Sequence, residues 1–192
     1  MDLAERRGLD DDVYEPAADS RLLADAAVER RVDRPGETVL DVGTGSGYVA
    51  GALHEATEAR VIGSDVNPHA CRRARDRGVE VVRGDLVAPF TEDCVDAVVF
   101  NPPYLPTEPE TEWDDWMERA LSGGESGRAV IDPFLETVGR VLAPDGVVLL
   151  LVSSLTGVDE VTERAGEAGF GAIAVVDESF PFETLTVLEL LR

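Results

Sequence analysis

Residues 95–104 read Val-Asp-Ala-Val-Val-Phe-Asn-Pro-Pro-Tyr, and the rest of the chain is organised around this segment. Its first residues are mostly apolar with two valines in succession, which is typical of a buried parallel strand, and the paired prolines end that strand abruptly. The strand would carry Asn101 at its last step. Ligands of open α/β sheets bind at the carboxyl ends of the strands. The stretch therefore predicts an open α/β sheet with Asn101 at the ligand-binding edge.

The two prolines also predict a rigid set of hydrogen-bond acceptors. Proline fixes φ and lacks a backbone donor, so Pro102 and Pro103 would hold the carbonyls of Asn101 and Pro102 in a stiff turn. Asn101 adds an amide oxygen, and Tyr104 adds a flat aromatic face. A rigid pair of acceptors beside a stacking surface suits a planar NH2 group. Taken alone, the motif is also compatible with an ordinary turn that ends a strand.

A glycine-rich loop follows the first predicted core strand, residues 38–42. It reads Gly43-Thr44-Gly45-Ser46-Gly47, and glycines at alternate positions let the backbone approach a ligand. The helix that begins at Tyr48 would present its N-terminal N–H groups to the same ligand. The dinucleotide fingerprint requires a third glycine where this chain has Tyr48, so the loop departs from the NAD-binding type. A nucleotide-like ligand and a plain turn both remain open from this loop alone.

Acidic residues stand at the ends of three successive predicted strands. Asp41 lies in the first strand, Asp65 ends the second, and Asp85 ends the third, predicted over residues 80–85. An acid about 20 residues beyond a glycine loop is where dinucleotide-binding folds hold the ribose. Asp65 is therefore predicted to accept from ribose hydroxyls, and Asp85 from an exocyclic amine such as adenine N6. Acids that cap strand ends would explain one of these positions better than three.

Composition restricts the class of protein. The chain has 39 acidic and 17 basic residues, a net charge of −22, and every basic residue is arginine. This balance indicates a salt-adapted proteome with a solvated acidic surface; a surface for a basic partner is the alternative. No run approaches the roughly 18 apolar residues of a membrane span, and the acidic N-terminus does not resemble a signal peptide. Two cysteines, Cys71 and Cys94, and two histidines, His54 and His69, lack metal-ligand spacing, which predicts an intracellular protein without a metal site.

The chain is predicted to form a flexible acidic leader, residues 1–12, and a single domain, residues 13–192. The predicted helices cover residues 21–31, 48–55, 68–78, 132–142 and 158–168. Asp19 or Ser20 would cap the first of them, and Asn67 would cap the third. The helix over residues 132–142 would end in a turn over residues 143–146, and a buried strand is expected over residues 147–152. Residues 172–176 and 185–190 would form a closing antiparallel pair. Residues 105–128 are too long for a plain connection and are predicted to form a lid or binding loop.

This layout, βαβαβ followed by βαβαββ, is similar to that of the class I S-adenosylmethionine-dependent methyltransferases. More narrowly, the chain resembles the HemK/PrmC-like protein-glutamine methyltransferases of the short archaeal and eukaryotic branch. The resemblance rests on Tyr14-Glu15-Pro16 with Asp19-Ser20, residues 41–47, Asp65, Asp85-Leu86, Asn101-Pro102-Pro103-Tyr104, and Gly123-Gly124 with Gly127-Arg128. It implies a Rossmann-like mixed sheet of seven strands in the order 3-2-1-4-5-7-6, with strand 7 antiparallel and helices on both faces. The N-terminal helical substrate domain of the bacterial members has no counterpart in this pattern.

The resemblance also implies roles for individual residues. The catalytic residues would be Asn101, Pro102, Pro103 and Tyr104. S-adenosylmethionine would be bound by Tyr14, Pro16, Ser20, Asp41, Gly43, Thr44, Gly45, Gly47, Asp65, Val66, Asp85, Leu86 and Asn101. Within these sets Asp41 would lie near the methionine amino group, and Tyr14 with Ser20 would close the methionine end.

The implied substrate is the glutamine in the Gly-Gly-Gln loop of the translation release factor. Adenine N6 in DNA or RNA and a protein lysine are alternatives, because the same acceptor geometry serves several NH2 groups. A scaffold that binds the cofactor without turnover is a non-enzymatic alternative. The chain shows no basic stripe with interleaved aromatic residues, which disfavours nucleic acid. The resemblance further implies a cytoplasmic heterodimer, in which a small zinc-binding activator subunit pairs with the edge strand near residues 79–83.

Overall fold

The computed structural model describes residues 13–30, 36–107 and 116–192. The predicted leader, residues 1–12, lies outside the described residues. The helices are α1 (Ala18–Glu29), α2 (Tyr48–Ala56), α3 (Pro68–Asp76), α4 (Trp116–Leu121), α5 (Ile131–Val138) and α6 (Val158–Glu167). The strands are β1 (Thr38–Val42), β2 (Arg60–Asp65), β3 (Glu80–Arg83), β4 (Val95–Phe100), β5 (Leu142–Ser153), β6 (Gly171–Ser179) and β7 (Thr184–Leu191).

The strands form a seven-stranded mixed sheet in the order β3-β2-β1-β4-β5-β7-β6. β1 pairs in parallel with both β2 and β4, and β4 pairs in parallel with β5. β7 is antiparallel to β5 and to β6. The predicted order and the antiparallel seventh strand are confirmed. The order reverses between β1 and β4, so the carboxyl ends of these two strands border the crevice where doubly wound sheets hold their ligands.

Two hydrophobic layers cover the sheet, because successive side chains of a strand point to opposite faces. One layer joins Phe100 of β4 to Ile131 and Phe134 of α5. The other joins Val99 of β4 to residues of α1 and α2 that include Leu53. Helices therefore lie on both faces, as predicted. The rings of Phe100 and Phe134 are 4.5 Å apart between centroids at 51°, a tilted contact that anchors the last residue of β4 directly before Asn101.

The start of α1 differs from the prediction that Asp19 or Ser20 caps it. The helix begins at Ala18, and its N-cap position is Ala17, which makes no side-chain capping bond. The carboxylate of Asp19 instead accepts the backbone N–H of Ser20 at 2.6 Å. Asp19 and Ser20 are thus buried inside the first turn, where their polar groups are directed toward the sheet edge rather than toward the helix end.

The region between α5 and β5 also differs. The prediction ends the helix near residue 142 and places a turn over residues 143–146, but α5 ends at Val138 and β5 begins at Leu142. Leu142 pairs with Val95, and the register shifts before Ala97 pairs with Val147. The predicted turn is therefore a bulge within a long strand, since extra residues on one strand can be accommodated without ending the ladder.

The connection over residues 105–128 contains α4, a short helix that was not predicted. Among the described residues no helix is both long enough and apolar enough to cross a bilayer.

Candidate active site

The glycine loop leaves β1 at the switch point of the sheet. Gly43 and Gly45 adopt left-handed φ values of 62° and 54°, and both keep accessible surface. A Cβ at Gly45 would meet nothing closer than the Gly43 carbonyl oxygen at 3.9 Å, so a ligand has room to approach the backbone there. Gly47 is different: it is buried, and its Cβ would lie 2.9 Å from the Cβ of Ala74 on α3. Gly47 therefore permits the close approach of two helices, whereas Gly43 and Gly45 face the crevice.

Asp41 of β1 connects the glycine loop to the start of α2 through hydrogen bonds of its side chain. Its Oδ2 accepts the hydroxyl of Thr44 at 2.7 Å and the backbone N–H of Ala50 at 3.1 Å. The carboxyl is buried, and burial raises its pKa to about 7 although both bonds act to lower it. The nearby charge of Asp65 acts in the same direction as burial. Because a buried carboxylate is costly without a compensating cation, Asp41 favours a cationic ligand in its neighbourhood.

Asp65 ends β2 and faces the same loop. Its two carboxylate oxygens accept backbone N–H groups from Gly45 at 2.9 Å and Asn67 at 2.8 Å. Burial raises the pKa of this carboxyl as well, and the backbone donors only partly offset the effect. Val66 follows with an exposed side chain. Together with the Val66 backbone, these donors fix the orientation of the Asp65 carboxylate, and they leave acceptor capacity for a hydroxyl donor.

The third predicted acid lies further from its strand. β3 ends at Arg83, so Asp85 stands in the turn beyond it and is exposed. The backbone N–H of Gly84 donates to the Asp65 carbonyl at 3.0 Å, which ties this turn to the end of β2. Leu86 has a left-handed φ of 46°, and its carbonyl accepts the Ser64 hydroxyl at 3.5 Å. Asp85 and Leu86 therefore border the Asp65 side of the crevice.

The Asn-Pro-Pro-Tyr segment begins where β4 ends. The side-chain Oδ1 of Asn101 is buried and has no hydrogen-bond partner among the described residues. Its Nδ2 donates to the Ser20 hydroxyl at 3.5 Å. Pro102 is buried and Pro103 partly so, which holds the segment in place. A buried acceptor without a donor costs free energy, so the oxygen of Asn101 is suited to receive an N–H group from outside the described chain.

The start of the described chain closes one side of the site. The Tyr14 hydroxyl donates to Asp19 Oδ2 at 3.4 Å, and the Ser20 hydroxyl donates to Asp19 Oδ1 at 3.3 Å. Since Ser20 also accepts from Asn101, these residues form a chain of contacts between α1 and the end of β4. Pro16 is partly buried between Tyr14 and α1. Asp19 is absent from the predicted site residues, although the sequence places it beside Ser20.

Tyr104 is the last residue of the Asn-Pro-Pro-Tyr segment, residues 101–104, which we call the clamp. Burial raises the pKa of its hydroxyl far above the ordinary value, and the negative charges of Asp19 and Glu183 add to this effect. Tyr104 therefore stays protonated and cannot serve as a base. Glu183 accepts the Ser153 hydroxyl at 2.6 Å and was not predicted, because it lies some 80 residues further along the chain, on the connection before β7.

The second glycine segment packs against the residues that follow Tyr104. The Gly123 N–H donates to the Leu105 carbonyl at 2.9 Å, and the Thr107 N–H donates to the Gly124 carbonyl at 3.0 Å. A Cβ at Gly127 would lie 2.7 Å from the Tyr104 carbonyl and 2.5 Å from the Thr156 side chain. Arg128 donates to the Thr156 carbonyl and so ties the segment to the end of β5. These contacts hold the backbone at Tyr104 and the residues that follow it in place.

Comparison with known proteins identifies the family. Residues 39–123 match the methyltransferase domain model Methyltransf_25. The protein MJ0928 of Methanocaldococcus jannaschii, provisionally named a protein N5-glutamine methyltransferase, is 33% identical over 94% of this chain and 92% of its own length. The human methyltransferase HEMK2 is 33% identical over 97% of this chain and 92% of its own length. The chain belongs to the HemK/PrmC-like family of protein-glutamine methyltransferases.

A solved structure agrees with this membership. A chain from the E. cuniculi Mtq2–Trm112 complex, described as responsible for methylation of the termination factor eRF1, superposes with a TM-score of 0.79. It is 32% identical, and the alignment covers 95% of this methyltransferase and 99% of that chain. The family and the fold imply S-adenosylmethionine as the methyl donor, as predicted.

Asp41 predicts a pH dependence of the methyltransferase's stability. The folded protein keeps a proton on this carboxyl up to pH about 7, whereas in the unfolded chain the carboxyl ionises near 3.8. Because the unfolded chain loses that proton first, this group lowers the free energy of unfolding as pH rises from about 4 to about 7. The decrease is at most about 1.4 kcal/mol per pH unit, and it ends above that range.

Denaturant unfolding of the cofactor-free protein across this range tests the prediction. Asp41→Asn retains an acceptor for Thr44 and Ala50 but cannot titrate, so its free energy of unfolding should fall less steeply with pH than that of the wild type. The remaining carboxyls contribute equally to both proteins. Parallel pH profiles for the two would contradict the assignment of a raised pKa to Asp41.

Proposed function

We propose that this methyltransferase transfers a methyl group from S-adenosylmethionine to the side-chain amide of the glutamine in the Gly-Gly-Gln loop of the translation release factor. The observation that carries the proposal is the buried, unpartnered Oδ1 of Asn101 beside the two prolines, at the carboxyl end of the strand next to the glycine loop. The names of the relatives support the substrate, and a cytoplasmic location follows from it.

The crevice offers the contacts that the cofactor needs. Gly43, Thr44 and Gly45 would lie along the cofactor, and the oriented Asp65 carboxylate would accept the ribose hydroxyls. The adenine would lie against Val66 and Leu86, with Asp85 accepting from its amine. Tyr14, Pro16 and Ser20 would enclose the methionine end. Gly47 would contribute indirectly, by allowing α2 to start close to α3.

The electrostatics of the crevice fit this ligand. Asp41 is buried and Asp65 is partly buried, the pKa of each carboxyl is raised, and no cationic side chain is among the causes of either shift. A ligand that brings an ammonium group, a sulfonium centre and hydroxyl donors would stabilise both carboxylates. When bound, S-adenosylmethionine supplies a methyl group already activated by the positive sulfur.

Asn101 and Pro102 would prepare the acceptor nitrogen. An amide nitrogen is a poor nucleophile because its lone pair is delocalised into the carbonyl. If the Oδ1 of Asn101 accepts one N–H and the Pro102 carbonyl accepts the other, the amide nitrogen is held with its lone pair facing the methyl group of the cofactor. The same acceptors stabilise the positive charge that develops on nitrogen as the new N–C bond forms.

The proton leaves after the transfer rather than before it. A methylated amide nitrogen that carries positive charge is strongly acidic, so solvent can remove its proton without a protein base. Tyr104 fits a role in this step only as a wall, since its raised pKa keeps the hydroxyl protonated. Its ring would pack against the plane of the acceptor amide and restrict how that amide turns.

An activator subunit of the Trm112 kind would complete the enzyme at the edge strand β3. This strand pairs only with β2 among the described residues, and Val81 and Val82 are half-buried. The Val81 carbonyl accepts a bond from the Arg75 guanidinium at 3.1 Å, which covers the edge in the isolated chain. A small zinc-binding partner that adds a strand would replace this bond with backbone pairing.

The substrate is tested with labelled S-adenosylmethionine, the heterodimer, and intact release factor. Label should enter the release factor and should be absent from a release factor whose loop glutamine is replaced by alanine. Label on the alanine-bearing release factor would point to a lysine or another residue. Label on DNA or RNA with none on the release factor would overturn the proposal in favour of adenine methylation.

Asn101→Ala should lower kcat by about 100-fold or more, because it removes an acceptor made for the transition state. Calorimetric binding of S-adenosylmethionine should stay within a few-fold of wild type. Asn67, the other asparagine in the chain and also followed by proline, offers the matched control. Asn67→Ser keeps a capping oxygen for α3 and should retain kcat. A near-normal kcat for Asn101→Ala would remove the clamp from the mechanism.

Val81→Pro should weaken activator binding by about 10-fold, since a buried, unmet backbone group costs about 1–3 kcal/mol. The N–H and carbonyl of a strand residue point to the same side, so the outward carbonyl of Val81 implies an outward N–H. Proline is tolerated on such an edge, and the melting temperature should change little. Val82→Pro removes an N–H that faces β2 and should instead lower the melting temperature. Unchanged activator affinity in Val81→Pro would exclude strand addition at β3.

A further inference from the structure

Phe182 is the most exposed of the large apolar side chains in the described residues, with 92% of its surface accessible. It lies at the tip of the connection between β6 and β7, where the Phe180 N–H donates to the Glu183 carbonyl at 2.7 Å and closes a tight turn. β7 runs antiparallel to β5, so its first residue, Thr184, lies at the same end of the sheet as the last residue of β5. Phe182 therefore projects at the carboxyl edge of the sheet, which also holds the Asn-Pro-Pro-Tyr clamp.

The base of this turn is fastened to the end of β5. The Ser154 N–H donates to the Thr184 carbonyl at 2.8 Å, and the Thr184 N–H donates to the Ser154 hydroxyl at 3.0 Å. Glu183 accepts from the Ser153 hydroxyl. These hydrogen bonds hold the turn in one conformation, so Phe182 is exposed on an ordered part of the surface.

The turn is also continuous with the clamp. Glu183, next to Phe182, lies close enough to Tyr104 for its charge to raise the pKa of that hydroxyl. Leu155, two residues beyond β5, is a second exposed apolar side chain at this edge, with 44% of its surface accessible. An apolar rim formed by Phe182 and Leu155 thus adjoins the aromatic wall of the acceptor site.

We propose that the rim of Phe182 and Leu155 docks the polypeptide segment that flanks the acceptor glutamine in the protein substrate. The inference rests on the proposed function and adds the surface that selects a protein. Exposed aromatic side chains on rigid supports are the usual anchors of protein interfaces. The carboxylate of Glu183, partly exposed and next to Phe182, disfavours a phosphate backbone and favours a segment with a basic residue next to its apolar one.

The experiment compares Phe182→Ser with Ile173→Ser in the heterodimer with its activator. Ile173 is a matched control because it is also an exposed apolar residue, 54% accessible, but lies on β6 toward the amino end of the sheet. Two substrates are used: intact release factor, and a short peptide that carries only the Gly-Gly-Gln loop. Steady-state methylation gives kcat and KM for each substrate, and cofactor KM is measured alongside.

Phe182→Ser should raise KM for the intact release factor by about 10-fold, with kcat, cofactor KM and melting temperature near wild type. With the short peptide, Phe182→Ser should match the wild type, because the flanking segment is missing. Ile173→Ser should match the wild type on both substrates. A wild-type KM for intact release factor in Phe182→Ser, or an equal rise in Ile173→Ser, would overturn the docking surface while leaving the proposed function intact. A wild-type enzyme that labels no release factor overturns the proposed function, and the docking surface with it.

Discussion

The side-chain oxygen of Asn101 is the constraint on which the site depends. It is buried without a partner in the described chain, which is a cost that a folded protein rarely accepts without a ligand to meet it. The cost is sustained because the residue cannot turn away. Phe100 before it is locked in the core by Phe134, and Pro102 after it is buried. Its own amide nitrogen contacts Ser20, which fixes the orientation of the oxygen. The core and the first helix therefore hold a single acceptor in place.

Much of the fold follows from local sequence. β1 spans the predicted residues 38–42, β2 ends at Asp65 as predicted, and β4 ends one residue before the predicted Asn101. Short apolar runs ended by glycine or proline leave little freedom in placing a buried strand. Asn67 caps α3 through the His69 N–H as predicted. The predictions that failed involve distant contacts. Asp19 is drawn from capping into a contact with Tyr14, and the predicted turn before residue 147 is absorbed into β5 by pairing with β4.

In the candidate site, too, some features follow from local sequence and others only from contacts between distant residues. Alternating glycines in the loop after β1 were visible in the sequence, but only packing distinguishes Gly45, which has open space beside it, from Gly47, which lies against Ala74. Glu183 was not assigned to the site from sequence, and Gly127 was marked only as part of the family motif, without a role. One is on the connection before β7 and the other is in the second glycine segment, and each reaches Tyr104 only through the three-dimensional arrangement. Sequence thus predicts the groups that strands carry to the edge, and misses those that arrive from other elements.

The two edges of the sheet are protected to different extents, which bears on where a partner can add a strand. β6 is long, but its pairing with β7 shifts register between Ala174 and Val176, and Asp177 and Glu178 follow. A bulge twists an edge away from a flat template, and charges at its end oppose pairing.

β3 is regular in its pairing with β2, and its outward Val81 carbonyl accepts a bond from the flexible side chain of Arg75. An arginine can move aside at a small cost, whereas a bulge cannot be removed without re-registering the strand. The β3 edge is therefore the better candidate for the proposed strand addition. It lies on the side of the sheet away from the rim of Phe182 and Leu155, so the proposed activator would not block the proposed docking surface.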